Sequence, residues 1–512
     1  MANDWKHDRA SDHIAKKIAD VETVTIVEYK RETSLENIPT NKAYRVDGVH
    51  LYADILNLND MLNVTTQEGE SCHRRTLRFL NLHFRAVRRI IASCEARRVD
   101  FHNQRLHALV TKPYGIEESD EAMRVHRAVA MGQLIIDVLD ETGDDDEQIP
   151  AAKVRIGIDT GEALAVNNGR SGGREPLFLG RPANHAAKMS GGGSAKGIYL
   201  TNEARAAIGL AEADKPAGSA LTAAEIAISQ EEADLDADKD QIVKEWRDDL
   251  EKNPIASFVF SRHTPPLRTL DIGALTPANS RRMEAVSVYA DIDGFTAYVA
   301  DHIEDNPENV VRVLHVVRAE LDRVLSRDFD GRRIRFVGDC LHGLLMEGTS
   351  QTTDDAASVT TATLCAGALR SSFELSLEKL EEEGIDVTNL GLAIGFEFGP
   401  MTVTRLGMQG DRVRCSVSRG VVASEEEQRR CDGDETAIGK AAYDAGTKAV
   451  QNLFGAARKL ANLDYNEAVE ALAEDEDASA RAVQKAAYAT AAPAIARAAE
   501  VTVKPYASGR EG

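Results

Sequence analysis

The chain lacks any run of eighteen apolar residues, and its opening, Met1-Ala2-Asn3-Asp4-Trp5-Lys6, has none of the apolar stretch a signal peptide needs. It also lacks a Cys-x-x-Cys pair. The six cysteines, Cys72, Cys94, Cys340, Cys365, Cys415 and Cys431, are scattered, which reads as reduced, buried thiols rather than a disulfide frame or a zinc site. Cations are in deficit: 61 Lys and Arg against 83 Asp and Glu leave a net charge of −22. That argues against a surface for nucleic acid or anionic membrane, since both need basic patches. A nucleotide can still be held by a few local donors and a metal. The run Gly191-Gly192-Gly193-Ser194 lacks the Gly-Lys-Ser/Thr ending of a P-loop and reads as a turn. No sensor domain is recognisable. These absences predict a cytosolic globular protein. Its hydrophobic (43%) and charged (28%) contents are ordinary for that class, and its 512 residues are enough for two domains and a connector.

What is present is a repeat. Val49-His50-Leu51-Tyr52-Ala53-Asp54-Ile55 and Val286-Ser287-Val288-Tyr289-Ala290-Asp291-Ile292 are both apolar strand patterns ending on an Asp, at an offset of 237 (54 to 291). Val99–Leu109 matches Ile334–Leu344 at 235 (99 to 334), and Ile156–Gly161 matches Ile394–Gly399 at 238 (156 to 394). Three matches in order at nearly one offset indicate duplication of a whole domain. Helical spacing over 70–98 and 121–140, between strand patterns, predicts an α/β (α+β) unit. The expected organisation is a lead-in over 1–45, a first copy over 46–210, a connector and linker over 211–280, a second copy over 281–445 and an Ala-rich helical tail over 446–512. Residues 211–252 read as a solvated surface helix, and 262–280, with Pro265, Pro266 and Pro277, as an extended linker. His107 and His342 hold equivalent strand positions and read as structural.

The second copy carries the chemistry. Asp291 ends a strand, and Asp339 follows Gly338 in a tight turn. Two carboxylates delivered by neighbouring strand ends can hold one or two Mg²⁺ or Mn²⁺ ions when substrate phosphates complete the coordination. Gly294, Phe295 and Thr296 would present backbone N–H groups to phosphates at a helix start. Such a cluster suits attack of a hydroxyl on phosphorus.

Ala290-Asp291-Ile292-Asp293-Gly294-Phe295-Thr296 followed by Phe336-Val337-Gly338-Asp339 resembles the metal-binding signature of class III nucleotidyl cyclases. The resemblance implies two tandem ferredoxin-like domains in a head-to-tail pseudo-dimer. It also implies two Mg²⁺ or Mn²⁺ ions on Asp291, Ile292 and Asp339, and attack of a ribose 3′-hydroxyl on the α-phosphorus with loss of pyrophosphate. The partner domain of this family supplies an Asn and an Arg. Gly180-Arg181-Pro182-Ala183-Asn184-His185-Ala186-Ala187-Lys188 is similar to that segment, with Asn184 on the Asn position and Lys188 in place of the Arg, keeping charge without the planar fork.

The copies complement each other. Gln104 stands where the first copy would need its second metal Asp. Val422 and Glu426 stand where the second copy would need Asn and Arg. One composite site survives, with metals from the second copy and polar stabilisers from the first. Among Arg405, Arg412 and Arg414, Arg412 is the candidate for a β- or γ-phosphate contact.

The family reads the base through positions that correspond to Asp100 and Leu177. Leu177 cannot hydrogen-bond a base, and Asp100, an acceptor, suits a donor edge such as uracil N3, cytosine N4 or guanine N1. The two-copy layout and the lead-in Thr264-Pro265-Pro266-Leu267 to Ser280 resemble the pyrimidine cyclases of bacterial anti-phage defence (Pycsar systems). That implies UTP or CTP as substrate and a downstream cyclic-nucleotide-sensing effector as partner. An adenylate or guanylate cyclase, and a catalytically silent cyclase-homology module, remain alternatives.

Overall fold

Two mixed sheets repeat one strand order. A computed structural model describes residues 4–491 apart from 116, 145–147, 170–175, 256, 409 and 411. The first sheet contains β1 (Thr25–Glu28), β2 (Lys42–Ile55), β3 (Arg97–His102), β4 (Arg105–Val110), β5 (Val154–Val166), β6 (Leu177–Leu179) and β7 (Gly197–Leu200), with core order β3-β4-β2-β5-β6. The second contains β8 (Phe260–Arg262), β9 (Ser280–Asp293), β10 (Arg332–Val337), β11 (Cys340–Leu345), β12 (Gly391–Leu406), β13 (Val413–Val417), β14 (Glu435–Ile438) and β15 (Lys459–Ala461), ordered β10-β11-β9-β12-β14-β15. The quartets β3-β4-β2-β5 and β10-β11-β9-β12 match strand for strand. Within them Tyr52 faces His107 and Tyr289 faces His342 across the ladder, each pair stacked at ring-centroid distances of 4.0 and 4.3 Å. Both histidines are buried, as expected for structural residues.

Each sheet carries two long helices, Glu70–Ser93 with Glu118–Leu139, and Pro307–Arg323 with Asp355–Glu382. The first ends earlier than its apolar spacing suggests, because Glu95 turns left-handed (φ 53°) before β3 begins. A shorter helix lies directly over each sheet: Arg181–Gly191 on β5 and β2, and Arg419–Arg429 on β12 and β9. The repeated glycines explain the approach. A Cβ on Gly157 would collide with the backbone of Ala186 and Ser190, and one on Gly395 with the backbone of Gln428.

The halves interlock through hairpins. Leu164, Val166 and Leu179 of β5 and β6 pack into the core of the second half, with the helices Pro307–Arg323 and Asp355–Glu382. Leu406, Val413, Cys415 and Val417 of β12 and β13 pack reciprocally into the core of the first, with the helix Glu70–Ser93. All seven are buried.

The flanking segments are more integrated than their composition suggests. In the connector helix Lys239–Lys252, Ile242, Val243 and Trp246 are buried, the Trp246 indole donates to the Leu82 carbonyl at 3.2 Å, and buried Arg85 and Asp249 pair. It is docked, not solvated. Leu267, Leu270, Ile272 and Leu275 seat the supposed linker on Met283, Tyr289 and Val403. The lead-in helix His7–Asp20 lies on the second half, where Arg9 and His13 each approach Glu320 to 2.6 Å and Trp5 donates to Ser372 at 2.7 Å. In the tail, β15 extends the second sheet and the helix Tyr465–Glu474 packs on the helix Asp355–Glu382, while Pro493 lies outside the described residues. Five cysteines are buried and Cys431 half-buried, all as free thiols. Among the described residues no helix is long and apolar enough to cross a membrane.

Because backbone, not a flexible side chain, faces both glycines, Gly157→Ala and Gly395→Ala are each expected to cost about 1–3 kcal/mol by overpacking. Equilibrium denaturant unfolding of the two variants measures it.

Candidate active site

Asp291 is delivered near the end of β9, opposite Ala393 of β12, and Asp339 by the tight turn between the paired residues Val337 and Cys340. Gly338 takes φ 63° in that turn, a conformation that disfavours any residue with a Cβ. The two carboxylates face one another. Burial, then the neighbouring Asp291 charge, pushes Asp339 well above the ordinary carboxylate range, while Arg318 and the Ile292 backbone N–H act the other way. Asp291 is raised too, first by burial, with the Cys340 thiol opposing. A carboxylate pair in which the charge of one raises the proton affinity of the other is what a divalent cation relieves. Among the described residues no group of three or more His, Cys, Asp or Glu forms a complete metal cage. The donor set therefore fits a hard cation that shares its coordination with water and substrate phosphates.

Past Asp291 the chain turns at Gly294 (φ 78°), where a Cβ would also strike the Asn389 carbonyl. The helix Phe295–His302 then starts, with Phe295 buried and Thr296 exposed. From the other half, the helix Arg181–Gly191 brings Asn184, whose side-chain amide donates to the Thr296 hydroxyl at 3.4 Å. This bond ties the first copy's Asn to the second copy's glycine turn. Lys188 lies one turn further along, exposed.

Three of the expected substrate contacts have protein partners of their own. Asp100 is not a free acceptor: the guanidinium of Arg335 donates to its carboxylate, and also to the Phe101 carbonyl at 2.7 Å. Arg335 is only 2% exposed. Asp100 and Arg335 hold equivalent positions of the two copies (offset 235), so the charge complementarity was present in the aligned segments. Leu177 packs with the apolar cluster that includes Val166 and the second half's helices. Arg412 leads into β13, its carbonyl accepting from Arg405, and among the described residues no contact joins it to Asp291 or Asp339. The residues that reading one copy at a time missed are Arg335, Arg318 and Cys340.

The opposite cleft is differently furnished. Arg105 takes the place of Cys340 and lies 3.8 Å from Asp54 and 3.6 Å from Glu425. The cation facing Asp54 is thus a side chain. Asp54 nevertheless is pushed up to about 6, chiefly by burial, with Arg105 opposing, and one of its oxygens is buried without a hydrogen bond. At the start of the helix Arg419–Arg429, Arg419 donates to the carbonyls of Leu62 and Thr66 at 2.9 and 3.0 Å, and its backbone N–H donates to Glu68 at 2.8 Å. These bonds close that side.

Known proteins fit this geometry. Residues 278–432 match the adenylate and guanylate cyclase catalytic domain family. A uridylate cyclase of Pseudomonas aeruginosa is 64% identical over 506 residues, 99% of this chain and 98% of the relative. The chain belongs to the class III nucleotidyl cyclases. A second uridylate cyclase, from a Rhizobium species, is 41% identical over 83% of each chain. The crystal structure of a class III adenylyl cyclase-like ATP-binding protein from Pseudomonas aeruginosa superposes on this cyclase with a TM-score of 0.91 at 65% identity, over 92% of this chain and 100% of that one. The cyclase therefore has the mixed α/β fold of its class and is a nucleotidyl cyclase, a lyase.

Two outcomes follow from the charges. Asp54 binds its proton more tightly folded than unfolded, so the folded state's advantage is full below pH 4 and is lost as pH rises through about 6. Asp54→Asn should accordingly be more stable than wild type at pH 7.5, by about 1–3 kcal/mol, with the gap closing toward pH 4 in denaturant titrations. Asp100→Ala strands the buried Arg335 guanidinium and should cost about 3–5 kcal/mol. Asp100→Leu with Arg335→Met should recover most of that loss in the same measurement.

Proposed function

We propose that the cyclase converts UTP to 3′,5′-cyclic UMP and pyrophosphate at one composite site, with the two copies acting as an intramolecular head-to-tail pseudo-dimer. The first copy (46–210) is the metal-deficient partner and the second (281–445) the metal-binding one. The observation that carries this reading is the Asn184–Thr296 hydrogen bond. It joins the stabiliser of one copy to the phosphate turn of the other, at the one cleft where Asp291 and Asp339 are both present.

Asp291, Asp339 and the Ile292 backbone would hold one or two Mg²⁺ or Mn²⁺ ions. When bound, these lower the proton affinity of the 3′-hydroxyl and offset charge on the triphosphate. The chain's own residues do the rest. The backbone N–H groups of Gly294, Phe295 and Thr296 lie at a helix start suited to phosphate oxygens. Asn184, held by Thr296, steadies the ribose so that O3′ stands in line with the α-phosphorus. The O3′–P bond forms as the bond from the α-phosphorus to the pyrophosphate oxygen breaks, and the 3′-hydroxyl proton passes to water or to the departing pyrophosphate. Lys188 offers its ammonium to the charge that develops on the α-phosphate. The other cleft is silent: Gln104 and Arg105 supply no second carboxylate, and Val422 no ribose donor.

The base assignment is supported by the names of the two relatives at 64% and 41% identity. The Arg335 pair changes how it is read, since Asp100 enters as half of an ion pair. A second reading, ATP as the nucleotide, is favoured by the description of the 65% identical crystal structure. The product would be sensed by a separate cyclic-nucleotide-binding effector, as in the anti-phage systems the sequence resembles.

The test is incubation with an equimolar mixture of the four NTPs and Mn²⁺, with cyclic monophosphates read by mass spectrometry. UTP should dominate; a mainly cyclic AMP product would favour the second reading. Asp291→Ala, Asp339→Ala and Asn184→Ala should each lower turnover by at least about a hundredfold, the scale of losing a transition-state contact. Gln104→Ala and Val422→Ala should stay within a few-fold of wild type. Full activity in Asn184→Ala would sink the composite site.

A further inference from the structure

A cleft of about 810 Å³ opens on the helix-covered side of the second sheet. Its walls come from the lead-in helix, from first-half residues at 37–40 and 166–169, from the helix Pro307–Arg323 with the π turn Val324–Asp328 that follows it, and from β10. It adjoins the candidate active site through Arg318, which also acts on Asp339, but none of Asp291, Asp339, Asn184 or Lys188 lines it. Phe336 of β10 faces this cleft and packs with the helix Pro307–Arg323, whereas its neighbour Val337 turns to the other face, beside Tyr289 and Cys340.

Among the described residues seven arginines and one lysine line this cleft against a single carboxylate, Asp322. In a chain of net charge −22, that concentration of one sign is costly through self-repulsion unless an anion offsets it. Some of the cations are engaged: Arg268 pairs with Asp330 at 2.9 Å and Lys17 with Asp20 at 2.7 Å, carboxylates just outside the lining. Arg333 pairs with Asp322 at 3.2 Å, and Arg318 and Arg333 stack on Phe336 at 3.9 and 4.6 Å. Arg323, Arg327 and Arg332 have no carboxylate within ion-pair distance among the described residues, and the Nε of Arg323 is buried without a hydrogen bond. The preponderance of arginine suits an oxyanion whose oxygens match the planar fork, and the number of cations suits a multiply charged phosphate chain better than a single carboxylate. The volume suits one ligand of nucleotide size, and its cations are spread over more than one element, beyond the reach of a single phosphate. With Arg318 and Arg333 stacked on Phe336, recognition falls to the phosphates and not to a base.

We propose that this cleft binds an oligophosphate, either an inorganic chain such as pyrophosphate or the triphosphate of a nucleotide, and that the bound anion joins the lead-in helix and first-half loops to the second half. The site is independent of the reaction assigned above. The test is isothermal titration of the full chain carrying Asp291→Ala and Asp339→Ala, in metal-free buffer, with inorganic tripolyphosphate in one arm and UTP in the other. Tripolyphosphate should bind at one site. Adding Arg327→Gln and Arg332→Gln should weaken it by about tenfold or more, the scale of one charge-assisted hydrogen bond. Arg323→Gln alone serves if that variant does not fold. Equal affinity in the two arms assigns the phosphate chain as the ligand; tighter UTP binding, lost equally in the arginine variants, assigns a nucleotide. No tripolyphosphate binding, or binding unmoved by the arginine substitutions, would overturn the proposal.

Discussion

Each half of this cyclase completes its hydrophobic core with a hairpin from the other. Leu164, Val166 and Leu179 leave the first sheet to sit among the second half's helices, and Leu406, Val413, Cys415 and Val417 make the reverse crossing. Seven buried side chains at about 1.5–3 kcal/mol each for the larger ones make this exchange a condition of either half being stable. It also fixes the relative placement of the two sheets. Asn184 reaches Thr296 because β6, which leads into its helix, is already locked in the second half's core. The site is a by-product of how the cores are closed.

The same arrangement explains how one cleft was free to change. Both clefts inherit a carboxylate at the end of the central strand, and each must deal with a buried negative charge. In one, Asp339 adds a second carboxylate, and the pair calls for a metal ion. In the other, Gln104 removes that demand and Arg105 brings its own cation to 3.8 Å from Asp54. Arg419 closes the entrance with hydrogen bonds to Leu62 and Thr66. Under the proposed reading, the Asp54 cleft is an internally compensated version of the Asp291 cleft, held by side-chain charges where the other would hold ions.

Much of this was legible in the sequence because duplication prints each feature twice. The central strands, the paired Tyr–His positions, and the glycines under the short helices all recur at nearly one offset. The metal pair and Asn184 stood out because their counterparts are missing in the other copy. What was not legible came from contacts between copies. Asp100 reads as a base acceptor only while its equivalent Arg335 is ignored, and a single-copy motif cannot show that equivalent positions touch. The connector looked solvated because charged residues surround Ile242, Val243 and Trp246, whose one-sided spacing over so short a helix is easily overlooked. The stretch around Pro265 and Pro266 reads as a linker, since its buried leucines follow neither helical nor strand period.

The lead-in helix His7–Asp20 has a consequence for timing. It is made about 300 residues ahead of the surface it docks on, since Arg9, His13 and Trp5 find their partners at Glu320, Asp328 and Ser372. At about 5–20 residues per second of synthesis, the helix waits roughly fifteen to sixty seconds before its docking surface exists. During that interval the first half has neither its borrowed hairpin nor any carboxylate pair. The order of elements along the chain thus makes this helix wait undocked until the helices Pro307–Arg323 and Asp355–Glu382 of the second half have emerged.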